Sequence, residues 1–70
     1  MKTVTISSEP IELCQLLKFE AMVSSGGEAK QVINDGLVLV NGAVETRKRK
    51  KIVAGDIVEF ADEKICVAVE

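Results

Sequence analysis

The pair Asn41-Gly42 constrains this chain more than any other two residues. Both central residues of a type I′ turn need positive φ, and Asn-Gly meets that need most readily. The run before it, Leu37-Val38-Leu39-Val40, is aliphatic, partly β-branched and too short for a helix. The run after it, Ala43-Val44-Glu45-Thr46, returns antiparallel. A β-hairpin therefore sits in the middle of the sequence, and the flanks decide what it packs against.

Upstream, two helices are expected. Ile11 to Glu20 carries Leu13, Leu16 and Leu17 as one apolar stripe, extended by Ile11 and Cys14, with Glu12 and Lys18 at polar positions. Pro10 suits a first helical turn, with Ser8 and Glu9 both open as the cap. Met22 and Val23 are expected beneath the connection. Ser25-Gly26-Gly27-Glu28 forms a capping box, serine followed three residues later by glutamate. Ala29, Val32 and Ile33 then repeat at i, i+3, i+4, and Gly36 stops the second helix. At about 100° per residue, Gly27, Lys30, Gln31 and Asn34 share the opposite, polar face.

The remaining elements are strands. Thr3 to Ile6 alternates as a short edge strand before Ser7 to Pro10 stop it. Ile52-Val53 re-enters the core, Ala54-Gly55-Asp56 turns, and Ile57 to Phe60 is a strand. Asp62-Glu63 turns again, and Ile65, Val67 and Val69 alternate as the last strand. The fold class is α+β: two short helices packed on one face of a small, mainly antiparallel sheet.

Seventy residues make one domain with a thin core. An apolar fraction of 47% is too high for a disordered chain. No apolar run approaches the ~20 residues of a membrane span, and Met1 to Ile6 has no signal-peptide character, so the cytoplasm is expected. Without histidine or a Cys-x-x-Cys, no metal or cofactor is expected. Cys14 and Cys66 read as two small thiols rather than a disulfide in a chain without an export signal. No serine stands beside a base, so the chain reads as non-enzymatic. Gly26-Gly27 lacks the spacing and the lysine-serine pair of a phosphate loop, and the simpler reading is a tight entry into the helix.

The net charge of −2 hides a segregation. Arg47, Lys48, Arg49, Lys50 and Lys51 are consecutive; the other four lysines stand against eleven acidic residues, a balance of −7. The run is thus one basic face on an otherwise acidic domain, suited to a polyanion. As an extended arm from Thr46 to Lys51 it would point Arg47, Arg49 and Lys51 one way and Lys48 and Lys50 the other. A solvated charge run that keeps an edge strand from aggregating is the plainer alternative. Phe19 and Phe60, the only aromatics, both read as core. With no ring free to stack bases, contact with the sugar-phosphate backbone of a structured nucleic acid is the expected mode. The residues alone leave RNA and DNA open.

The order of these elements resembles a known family. Leu13-x-x-Leu16-Leu17, Ser25-x-x-Glu28-Ala29-Lys30-x-x-Ile33-x-x-Gly36-x-Val38-x-Val40-Asn41-Gly42 and Gly55-Asp56-x-Val58 look like the αL RNA-binding motif, the domain named after ribosomal small-subunit protein S-four. The likeness covers about Ile11 to Phe60. Gly26 to Lys30 and Val44 to Lys51 further resemble its small stand-alone bacterial members, of the YbcJ type. The resemblance implies a single RNA-binding domain over residues 1–70, monomeric, meeting structured RNA, ribosomal RNA being one candidate. It implies contacts from Lys30, Arg47, Lys48, Arg49, Lys50 and Lys51, with Lys18, Gly27, Gln31 and Asn34 as weaker ones. Many members carry arginine just after the capping serine; Gly26 and Gly27 stand there instead, which shifts the implied contacts toward the basic arm. Two other classes compete: a sulfur-carrier-like β-grasp domain, whose C-terminal Gly-Gly is not seen in Val67-Ala68-Val69-Glu70, and a protein-interaction module for an acidic partner.

Overall fold

A computed structural model describes residues 1–70. Five strands form the main sheet: β1 (Lys2–Ile6), β3 (Val38–Val40), β4 (Ala43–Val44), β6 (Ile57–Phe60) and β7 (Glu63–Val69), in the order β1-β7-β6-β3-β4. Every neighbouring pair is antiparallel except β1 with β7. The helices are α1 (Leu13–Phe19) and α2 (Gly26–Asn34). A separate ribbon pairs β2 (Ile11–Glu12) with β5 (Lys51–Ile52). This is the expected α+β architecture, two helices on a mainly antiparallel sheet.

One core of fifteen buried residues holds the layers together, and every one of them is apolar. Leu13, Leu16 and Leu17 of α1 and Ala29, Val32 and Ile33 of α2 meet Val4, Ile6, Val38, Val58, Ile65 and Val67 of the sheet. Each fully buried Leu, Ile or Val contributes about 1.5–3 kcal/mol. Cys14 and Cys66 are unbonded and half-buried.

The hairpin turn has φ of 53° at Asn41 and 84° at Gly42, as a type I′ turn requires. Asn41 also ties the hairpin to the turn before β6. Its Nδ2 donates to Asp56 Oδ1 at 3.1 Å, and its Oδ1 accepts from Ile57 N–H at 2.9 Å. Gly36, at φ 76°, ends α2 in a Schellman motif: Leu37 N–H reaches Val32 C=O, and Gly36 N–H reaches Ile33 C=O, each at 3.1 Å.

Four expectations need correction. First, α1 does not begin at Ile11 with Pro10 in its first turn. Ile11 and Glu12 are a strand, because they pair with Lys51 and Ile52 across forty residues of sequence. Glu12 is the N-cap residue by backbone only, and its side chain makes no capping bond. Second, the return strand of the hairpin stops at Val44, and Thr46 to Lys51 is not an extended arm. Arg47 to Lys50 is a turn closed by Lys50 N–H donating to Arg47 C=O at 3.1 Å. Third, Phe19 is not core: it is 65% exposed, standing about 110° around α1 from the centre of the leucine stripe. Fourth, only Ile52 of the Ile52-Val53 pair is buried; Val53 is exposed.

Candidate nucleic-acid interface

The basic turn is held by the helix it faces. The first N–H groups of a helix have no partner inside it. In α1, Leu13 N–H donates to Lys50 C=O at 2.9 Å and Cys14 N–H to Lys48 C=O at 3.1 Å. The carbonyls of the basic run thus cap α1. Ile52, fully buried, anchors the far end of the run. At the near end, Glu45 N–H donates to Val38 C=O at 3.0 Å, continuing the pairing of β3 one residue beyond β4. Five like charges that would otherwise extend and repel are therefore fixed by backbone bonds at three places.

Glu45 fixes the first of them. Its carboxylate accepts from Arg47 Nε at 2.9 Å, Arg47 Nη2 at 3.2 Å and the Arg47 backbone N–H at 3.0 Å. These bonds, from the side chain first and the backbone second, hold the Glu45 carboxyl at about 2, well below its ordinary value. The same contact raises the Arg47 guanidinium above its ordinary value.

The second helix presents the opposite wall. Ser25 Oγ accepts from Glu28 N–H at 3.1 Å, the expected half of the capping box. The other half is shifted by one residue: Glu28 Oε1 accepts from Ser24 N–H and Ser24 Oγ–H, each at 2.7 Å, rather than from Ser25 N–H. Those bonds lower the Glu28 pKa. With its start so fixed, α2 turns Gly27, Lys30, Gln31 and Asn34 outward together.

Between helix and turn lies an open groove of about 810 Å³. Gly27, Lys30, Gln31 and Asn34 line it from α2, and Arg47, Lys48, Arg49, Lys50 and Lys51 from the run, with no hydrophobic residue among its walls. Of the sequence candidates only Lys18 lies outside; it is on the exposed side of α1. Thr46, which sequence reading passed over, lines the groove as well.

The six cations are not equivalent. Arg47 is paired with Glu45, and Lys51 Nζ lies 3.6 Å from Glu12 Oε2. Lys30, Lys48, Arg49 and Lys50 form no ion pair. The Glu45–Arg47 clamp had a sequence signal: in an extended chain, residues two apart lie on one side, and these two carry opposite charge. No group of three or more His, Cys, Asp and Glu side chains is placed to hold a metal ion. No helix is long and apolar enough to cross a membrane.

Residues 4–68 match the family model of the S4 domain. This chain belongs to the S4 domain family. Among its S4 relatives, YbcJ of Escherichia coli strain K12, provisionally named as RNA-binding, is 52% identical over 68 residues, covering 96% of this chain and 97% of that one. A Bacillus subtilis relative, RlbA, provisionally named a ribosome maturation protein, is 39% identical over 57 residues, covering 81% of this chain and 80% of its own. The solution structure of E. coli YbcJ, described as showing an αL motif involved in RNA binding, superposes with a TM-score of 0.73 at 51% identity. It covers 97% of this chain and 87% of that one. The S4 fold and its αL motif are thus shared along nearly the whole chain.

Proposed function

We propose that this S4 domain is a non-enzymatic module that binds structured RNA by its sugar-phosphate backbone, in the groove between α2 and the Arg47–Lys50 turn. One observation carries the reading. Six cations line a single groove, without one apolar residue, on a chain whose net charge is −2. Small-molecule pockets are mostly apolar, so such a groove suits a polyanion instead. Lys30 grips from the helix side; Lys48, Arg49 and Lys50 grip from the turn. Arg49 can take a phosphate bidentately. The name of the E. coli relative supports RNA as the polyanion, and the ribosome maturation named for the B. subtilis relative makes a ribosomal RNA the first ligand to test.

The test is binding of a structured ribosomal RNA fragment by fluorescence anisotropy. Lys48→Glu with Arg49→Glu should weaken binding by about a hundredfold or more, since each reversal removes one phosphate contact and adds a repulsion. The circular dichroism spectrum should not change, because both side chains are exposed. Unchanged affinity in the folded variant would remove the groove from consideration. Partners in a pull-down that survive ribonuclease would favour an acidic protein surface instead.

A further inference from the structure

Phosphate oxygens only accept hydrogen bonds, and lysine and arginine only donate them. Cations alone would therefore complete a site for a phosphate chain. Yet the groove also holds three neutral polar side chains, Gln31, Asn34 and Thr46, among its six cations. They are the only side chains in its lining that can accept a hydrogen bond.

Their states differ. Gln31 Nε2 donates to both oxygens of Asp35 at 3.0 Å, which ties the amide to a neighbour on its own helix. Asn34 and Thr46 are exposed on the groove, and neither side chain takes part in the protein's side-chain hydrogen bonds. Asn34 comes from the α2 wall and Thr46 from the opposite wall, one residue before the clamped Arg47. An acceptor in a cation-lined groove is of use to a ligand that donates between its phosphates. The ribose 2′-hydroxyl does so, and deoxyribose does not. A-form RNA displays those hydroxyls along a wide, shallow minor groove beside its phosphates.

We infer that Asn34 and Thr46 are the residues by which this groove selects RNA over DNA, through hydrogen bonds to ribose 2′-hydroxyls, while the surrounding cations hold the phosphates. The inference rests on the RNA-binding reading above and goes past it by dividing the labour within the groove. Affinity comes from the charges and is salt-dependent. Selectivity comes from two neutral side chains and is not.

The experiment compares one hairpin sequence as RNA, as DNA and as RNA with 2′-O-methyl groups, across a salt series. Wild type should prefer the RNA by about tenfold over each, as two neutral hydrogen bonds would give. Asn34→Ala with Thr46→Val should lose most of that preference on the RNA side, with the slope of log affinity against log salt unchanged. Wild type that binds RNA and the 2′-O-methyl form equally overturns the inference without any variant, and so does a folded double variant that keeps the preference. Both results leave the proposed function standing. Failure of wild type to bind any of the three overturns the proposed function itself.

Discussion

Glu45 and Arg47 show how one carboxylate shapes a basic site. Three hydrogen bonds converge on it, and its side chain is only 13% exposed. Its folded-state pKa, about 2, lies below the unfolded one, so the clamp stabilises the fold above pH ~4.5 and fades as the pH falls toward 2. The Glu45 side-chain carboxyl carbon, followed by NMR, should titrate near 2, and Arg47→Gln should return it toward 4.5. A midpoint near 4.5 in wild type would mean that the clamp is open in solution. Gly26 makes the contrasting case. It sits in the first turn of α2 without positive φ, and a Cβ there meets nothing within 4 Å. The tight helix entry read for Gly26-Gly27 therefore does not depend on glycine at this position. Gly26→Ala should raise stability by about 0.4–1 kcal/mol, seen as a higher urea midpoint, because it restricts the unfolded chain.

At the scale of elements, the decisive contact is between α1 and the basic turn. The amides of a first helical turn normally exchange with solvent freely. Those of Leu13 and Cys14 are bonded to Lys50 and Lys48, so both should be protected in hydrogen exchange at the level of the buried core. Fast exchange at both would show a basic run detached from the helix. Much of this architecture was legible in the sequence because its signals are local. The 3.6-residue period of Ala29, Val32 and Ile33, the Ser25–Glu28 cap and the Asn41-Gly42 turn are each complete within one turn or hairpin. What was not legible is non-local. Two-residue strands have no period to read, so nothing in Ile11-Glu12 announces its pairing with Lys51-Ile52. Five consecutive cations contain no glycine, proline or apolar alternation, so their turn is set by the Leu13 and Cys14 N–H groups of α1, which donate to the run's carbonyls. Phe19 was assigned to the core by residue type, whereas its angle around α1 already placed it off the stripe. The polar face of α2 was readable from its angles, but that Thr46 stands opposite it follows only from the folded turn.

For the whole molecule, the question is how many of the groove's charges a polyanion actually engages. An exposed ion pair contributes at most about 1 kcal/mol, so a phosphate could in principle take Arg47 from Glu45 or Lys51 from Glu12. Glu45 resists this better than Glu12. It binds Arg47 at two side-chain nitrogens and the backbone, whereas Lys51 has one contact at 3.6 Å. Releasing either cation to a phosphate would leave an unpaired carboxylate, Glu45 or Glu12, beside it. The proposed function therefore predicts a bound state that uses Lys30, Lys48, Arg49 and Lys50 and leaves the Glu45–Arg47 and Glu12–Lys51 pairs intact. Counterion release turns this into a number: each neutralised phosphate adds roughly 0.7–0.9 to the slope of log affinity against log salt. Four contacts give a slope of magnitude about 3, and six would give about 5. Replacing Lys30, Lys48 or Lys50 singly with Gln should lower it by roughly one unit, and replacing Lys51 should leave it nearly unchanged. A slope near 5 that drops on replacing Lys51 would show that RNA strips the carboxylates of their partners. A slope near 3 would mark Glu45 and Glu12 as fixed parts of the scaffold that shapes the groove.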